Sequence, residues 1–494
     1  MATRKLALRA FALLGVCAGV SCGSGNSNPG AGSQPVFVAP TYAIGGTVTG
    51  LQGSGLVLQL NGSDDLVVSS AGTFAFPQQL HSGNTYSVTV KSQPTTAREL
   101  CTASNASGTV VIGNVDSVAI QCSLLLGFVY TVSATNGNQI VTYGIDADTG
   151  ALLAMGTAVS AGVSPVSLVV SPSGSTLYLI DFGSGTILSY SIDTATGALT
   201  AVGSAVAAGP RPVFMVVAPS GRFLYVADQS AQAINAFAID PITGALSSSG
   251  APLSIASYSP TGDTEFLITP DGKHLYMTNH CGPMCSPAVV AFNVDSSSGA
   301  LTPGVALAVT GDVFHLAMDP AGQFLFVEEE DPAIPPGPQH VGSSVVTPYQ
   351  INATTGALTS TGVSTTVPGS VQGLALSPVG DYAYTTDGYN ASAQDDHVSA
   401  FLLLGSTHQL WSIGSDLPTY GLPGQVVADA SGQFVFVANG AVAGANRSAS
   451  AHWYDVVSYA VSDTAEAPGE LTQVGLGTQV PGNQSGPGLI AVVE

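Results

Sequence analysis

Tyr143-Gly144-Ile145-Asp146-Ala147-Asp148-Thr149-Gly150-Ala151-Leu152 reads as a short strand, an acidic turn and a glycine corner closing on leucine. The phrase returns at residues 190–199, 237–246, 292–301 and 349–358, in degenerate form at 401–410, and again at 459–471. With Gly150, Gly197, Gly244, Gly299, Gly356, His408 and Gly469 as markers, the steps are 47, 47, 55, 57, 52 and 61 residues. A period of about 50 residues made of short strands is what a propeller blade produces.

A second phrase precedes each later copy. Ser171-Pro-Ser-Gly174-Ser-Thr-Leu-Tyr178 recurs at 218–225, 269–276, 319–326, 377–384 and 429–436. One blade is therefore strand A, a Pro-x-Gly turn, strand B, a loop, strand C, a Thr-Gly turn and strand D. The first repeat has strands B, C and D but nothing that reads as A. Its missing strand stands at the other end of the chain, in Gly488-Leu-Ile-Ala-Val-Val493. A blade assembled from both ends closes the ring by hydrogen bonds and removes two exposed edges. The reading is an all-β chain whose residues 124–494 form a seven-bladed propeller.

Ahead of it, residues 41–123 alternate apolar and polar positions between Asn-Gly, Ala-Gly and Ser-Gly turns, the pattern of a small antiparallel sandwich. This module resembles the Ig-like or prealbumin-like domains appended to bacterial surface proteins. Residues 1–21 read as an export signal: Arg4, Lys5 and Arg9 precede an apolar run too short to span a bilayer. Gly19-Val20-Ser21-Cys22 then resembles a lipoprotein processing site with Cys22 as the lipidated residue, and 22–40 is a Gly/Ser/Asn/Pro-rich linker. Plain secretion is the alternative. Four further cysteines fall into two local couples, Cys101 with Cys122 and Cys281 with Cys285, which an exported chain would carry as disulfides.

Charge excludes one class of partner. With the three basic residues of the leader removed, 31 acids face six bases, a net of −25. Nucleic acid needs clustered Lys and Arg, so it is not expected, and a membrane is expected only through the lipid anchor. The chain is expected to act as a monomer, without a cofactor or metal.

The two repeat phrases resemble the seven-bladed lactonase-like propellers, whose members include 6-phosphogluconolactonases and muconate cycloisomerases. The resemblance covers residues 124–494 and implies that fold and a hydrolytic activity on lactones. In this blade order the tight turns share one face. The insertions at 280–287, 331–344, 388–397 and 440–455 share the other, where a site is expected. The resemblance also implies an Arg-His pair leading into strand A, eight and seven residues before the Pro-x-Gly glycine, and a Glu eight after it. The paired positions hold Val166/Ser167, Val213/Phe214, Thr264/Glu265, Phe314/His315, Gln372/Gly373 and Gly424/Gln425. Only His315 and Glu330 fit, with Arg211 two residues early for the arginine. His315, Glu330 and Arg211 are thus the catalytic candidates, while Glu265, Gln372, Gln425 and His280 are candidate ligand contacts.

Plainer roles compete. The run Glu328-Glu329-Glu330-Asp331 also reads as a solvated loop. Asp181, Asp228, Asn279, Glu329, Asp387 and Asn439 recur seven residues after the glycine and read as turn formers. Tyr389, Trp411 and Trp453 could line a ligand cup. The functional expectation is first a binding or scaffold protein, holding a small molecule, glycan or protein on its loop-rich face. The alternative is a hydrolase of a non-phosphorylated lactone.

Overall fold

The computed structural model describes residues 39–133, 138–258, 264–280, 286–330, 343–367, 369–387, 396–419, 422–440, 453–454, 456–464, 467–476, 479–480 and 489–493. The leader, Cys22, His340, Tyr389, Asp395 and most of the four insertions lie outside the described residues.

Residues 41–123 build two sheets over one core. Thr41–Thr49, Gly72–His81, Glu99–Ser104 and the first half of Val115–Ser133 form one sheet. Leu56–Leu60, Asp64–Val68, Thr85–Ser92 and Ser107–Thr109 form the other. Ile44, Leu56, Leu58, Leu60, Val118 and Ile120, at most 1% exposed, alternate with outward polar residues, so strand period alone buries the core.

Of the two disulfides expected from the sequence, one is present among the described residues. Cys101 and Cys122 face each other across the ladder and are bonded, as their spacing suggested. The second expected disulfide, between Cys281 and Cys285, lies in the blade 4 insertion, outside the described residues.

The strand Val115–Ser133 does not stop at the boundary read between 123 and 124. It pairs with Glu99–Ser104 as far as Leu124, and from Leu125 onward with Gln139–Asp146 of the propeller. Arg98 spans the same junction, donating from Nη1 to the Leu126 carbonyl at 3.1 Å. The two units share one strand.

Seven four-strand blades follow among the described residues, joined in the order A-B-C-D. Blade 1 takes its strand A from Ile490–Val493, which pairs antiparallel with Phe128–Thr131 as the sequence led us to expect. The strands A of successive blades pack side by side, and Ile490–Val493 fits between those of blades 7 and 2, closing the ring. In blades 2–5 strand D is split into two short segments that both pair with strand C.

The cores lie between blades. Phe223, Tyr225 and Ile234 of blade 3 pack on Phe266, Leu275 and Met277 of blade 4. Each fully buried side chain of this size contributes roughly 1.5–3 kcal/mol. The phrase at the Thr-Gly turn has a matching cause. Asp146 Oδ1 accepts from the backbone N–H and hydroxyl of Thr149 at 3.0 and 2.7 Å, and Asp193, Asp240, Asp295 and Asn352 close equivalent turns. The turn glycine then presents its carbonyl to the preceding blade. Tyr130, Tyr178, Tyr225 and Tyr276 of strand B donate their hydroxyls to Gly197, Gly244, Gly299 and Gly356 at 2.9–3.1 Å. The repeated Tyr and the repeated Gly are two halves of one contact.

Candidate functional site

At the face opposite those turns, each strand A begins beside the end of its strand B. In blade 4 Glu265 directly precedes strand A (Phe266–Ile268), held by its N–H donating to Thr278 Oγ1 at 2.8 Å. Its carboxylate reaches into blade 5. Oε2 accepts the Leu316 N–H at 2.8 Å, and Oε1 lies 3.3 Å from His315 Nδ1. His315 sits on strand A of blade 5 (Val313–Met318), and the side chains of this pair are 20% and 23% exposed. A carboxylate on Nδ1 fixes the tautomer of the ring and raises the basicity of Nε2.

Across the ladder from His315 stands Glu328, not Glu330. The acidic run is no solvated loop through Glu330: Phe324–Glu330 is strand B, with Glu328 1% and Glu329 6% exposed. Burial pushes the Glu328 carboxyl up to about 7. The charge of His315 and the hydroxyl of Ser344 work against that rise, and the nearby charge of Glu265 works with it. Glu329 points the other way and accepts the Gly311 N–H at 3.1 Å. Asp181 and Asp228 accept N–H groups of Ser164 and Arg211 at 2.8 and 3.3 Å, so these carboxylates do tie turns together. Glu330 ends the strand, half-buried, its N–H donating to the Asp312 carbonyl at 2.9 Å.

A second imidazole borders the pair. His280 lies over the Phe314 ring at 4.5 Å between centroids and 3.6 Å from Asp312 Oδ2. Phe314 occupies the position where an arginine was sought, and it supplies an aromatic wall instead. Arg211 stands apart. It directly precedes strand A of blade 3 (Pro212–Val217), exposed, with its guanidinium 5.2 Å from the Phe182 ring centroid. Blade 4 separates it from His315, and none of its described contacts reaches His315 or Glu265.

The remaining candidates bind backbone. Gln425 Oε1 accepts the Ile490 N–H at 3.1 Å, joining blades 7 and 1 as Glu265 joins 4 and 5. Gln372 Nε2 donates to the Ser370 carbonyl at 3.4 Å and to its hydroxyl at 3.2 Å. Trp411 lies on the outermost strand of blade 6 (Gln409–Pro418), 63% exposed and away from the mouth. No group of three His, Cys, Asp or Glu suited to a metal occurs among the described residues. Sequence reasoning overlooked Glu328 and the pairing of Glu265 with His315. Counting the ladder outward from the Pro320-Ala321-Gly322 hairpin would have found the first.

Comparison with known proteins agrees with this architecture. Residues 167–261, which span most of blade 2 and all of blade 3, match the family described as "Lactonase, 7-bladed beta-propeller". A candidate 6-phosphogluconolactonase from Bacteroides uniformis superposes with a TM-score of 0.56 at 17% identity, over 75% of this chain and 99% of its own. One from Bacteroides fragilis gives 0.55 at 20%, over 74% and 98%. A periplasmic gluconolactonase from Pseudomonas aeruginosa gives 0.51 at 16%, over 74% and 99%. No curated protein sequence matches the chain. These likenesses show the fold, a seven-bladed β-propeller, and one stretch of it resembles the lactonase family.

Proposed function

We propose that this protein is a lactone hydrolase, a carboxylic-ester hydrolase acting on a non-phosphorylated lactone. The observation that carries the reading is the Glu265–His315 pair at 3.3 Å on the insertion-bearing face. In this scheme His315 takes a proton from water as the water oxygen adds to the lactone carbonyl. Glu265 holds Nδ1 and stabilises the imidazolium that forms. When the ring C–O bond breaks, His315 returns the proton to the departing oxygen, leaving a hydroxy acid.

The scarcity of cations supports a substrate without phosphate, which favours Arg or Lys forks. Arg222 donates to the carbonyls of Ser296 and Ser297, and Lys273 pairs with Asp271; both belong to the tight-turn face. Arg211 is the described cation on the other face.

A second reading, a binding protein using the same mouth, is favoured by one observation. The Glu265 and Gln425 side chains both serve the ring seam, each accepting a backbone N–H from the next blade. A panel of uncharged and acidic lactones, with His315→Gln beside the parent, separates the two. General-base catalysis contributes about 10²–10⁴-fold, so the variant is expected to lose at least about 100-fold in kcat. No turnover on any lactone would sink the hydrolase, and equilibrium binding of the same lactones would then favour the second reading.

Export with anchoring through Cys22 belongs to the same proposal. The Cys101–Cys122 disulfide supports an oxidising compartment. In a bacterial host, labelled fatty acid should enter the protein and be lost in Cys22→Ala. Label retained by that variant would refute the anchor.

A further inference from the structure

Glu328 is almost wholly enclosed, 1% exposed, and is opposed to an ionisable partner, His315, across its own ladder. The Ser344 hydroxyl and the His315 main-chain N–H reach its carboxyl group, yet Oε2 has no hydrogen-bond partner. An ionised carboxylate with a bare, buried oxygen is costly, whereas the protonated acid is not. Around it, the facing residue of strand C is Val346, and strand A of blade 6 (Val371–Leu376) carries no ionisable side chain. Among the described residues, the charges that face Glu328 are His315 on its own blade and Glu265 on blade 4.

We propose that Glu328 is a positioning residue that holds a proton beneath His315, so that His315 and Glu328 titrate as a coupled pair. This rests on His315 being the base of the proposed hydrolysis. When His315 gains a proton from water, the imidazolium lies between two carboxyl groups. Glu328 can then ionise by passing its own proton to solvent or a neighbouring group, which keeps the enclosed charge constant. The open carboxylate orients the ring, and the enclosed one adjusts its basicity.

The test is the titration of His315 itself, which does not depend on turnover. In protein with isotope-labelled histidine, the His315 ring signals are assigned by their loss in His315→Gln. The parent should show two inflections and a midpoint higher than in Glu328→Gln by about one pH unit or more, the effect of a charge at this range. Ser344→Ala removes a donor that favours the ionised acid, so its midpoint should fall between the two. That comparison carries the test if Glu328→Gln does not fold. Superimposable His315 curves in all three proteins would overturn the proposal. Lactone turnover with superimposed curves would leave the hydrolase and remove the coupling. Separated curves without turnover on any lactone would leave the coupling and remove the hydrolase.

Discussion

A carboxyl group that folding makes easier to protonate ties stability to pH, and Glu328 has the sign worked out in its surroundings. Burial raises its pKa from the ordinary 4.5 to about 7. Its contribution is therefore fully present below about 4.5 and is lost as pH rises through 7. The shift corresponds to about 3 kcal/mol between those limits. Denaturant midpoints of the parent at pH 5 and pH 8 should differ accordingly, and the difference should shrink in Glu328→Gln. Equal slopes against pH in both proteins would refute the assignment. His315 was legible in the sequence because it stands seven residues before the turn glycine, where the family resemblance implies a histidine. Its partners were harder to read. Glu265 sits in the preceding repeat, about 50 residues upstream, and spacing within a single blade cannot pair it with His315. Glu330 was favoured over Glu328 because it matched an expected spacing, while hydrogen-bond register selects the residue two positions earlier.

Blade-to-blade contact explains why the elements carry the residues they do. The Tyr225 hydroxyl donates to the Gly299 carbonyl of the next blade at 3.1 Å, while the Phe223 ring covers Gly299 itself, whose φ is 72°. Tyr225→Phe should cost about 1 kcal/mol by leaving that carbonyl unpaired. Gly299→Ala should cost about 2 kcal/mol or more, since it adds left-handed strain and drives Cβ into the ring. Chemical denaturation measures both; an equal or smaller loss in the alanine variant would contradict the account. The one degenerate phrase fits the same rule. Blades 5 and 7 have Phe326 and Phe436 where the other five have tyrosine, and the neighbour of blade 5 has His408 at the turn in place of glycine. The Phe324 and Phe326 rings meet the His408 ring at 4.1 and 6.3 Å between centroids. Strands and turns could be read from period and turn chemistry, but this coupling could not, because it joins positions in different repeats.

At the scale of the molecule, ring closure was visible in the sequence as a strand missing at one end and present at the other. Sharing of Val115–Ser133 between the N-terminal module and blade 1 was not, since an alternating apolar run looks alike on either side of a boundary. That closing strand also orders events in time. Thr131 donates to the Leu489 carbonyl across 358 residues of chain, so the first blade to be synthesised is the last to be completed. Until residues 490–493 are made, strand B of blade 1 keeps an unpaired edge, a template for wrong partners. Such long-range pairing is also slow, because the loop must close before the contact rewards it. The propeller can be finished only after residues 490–493 have been synthesised.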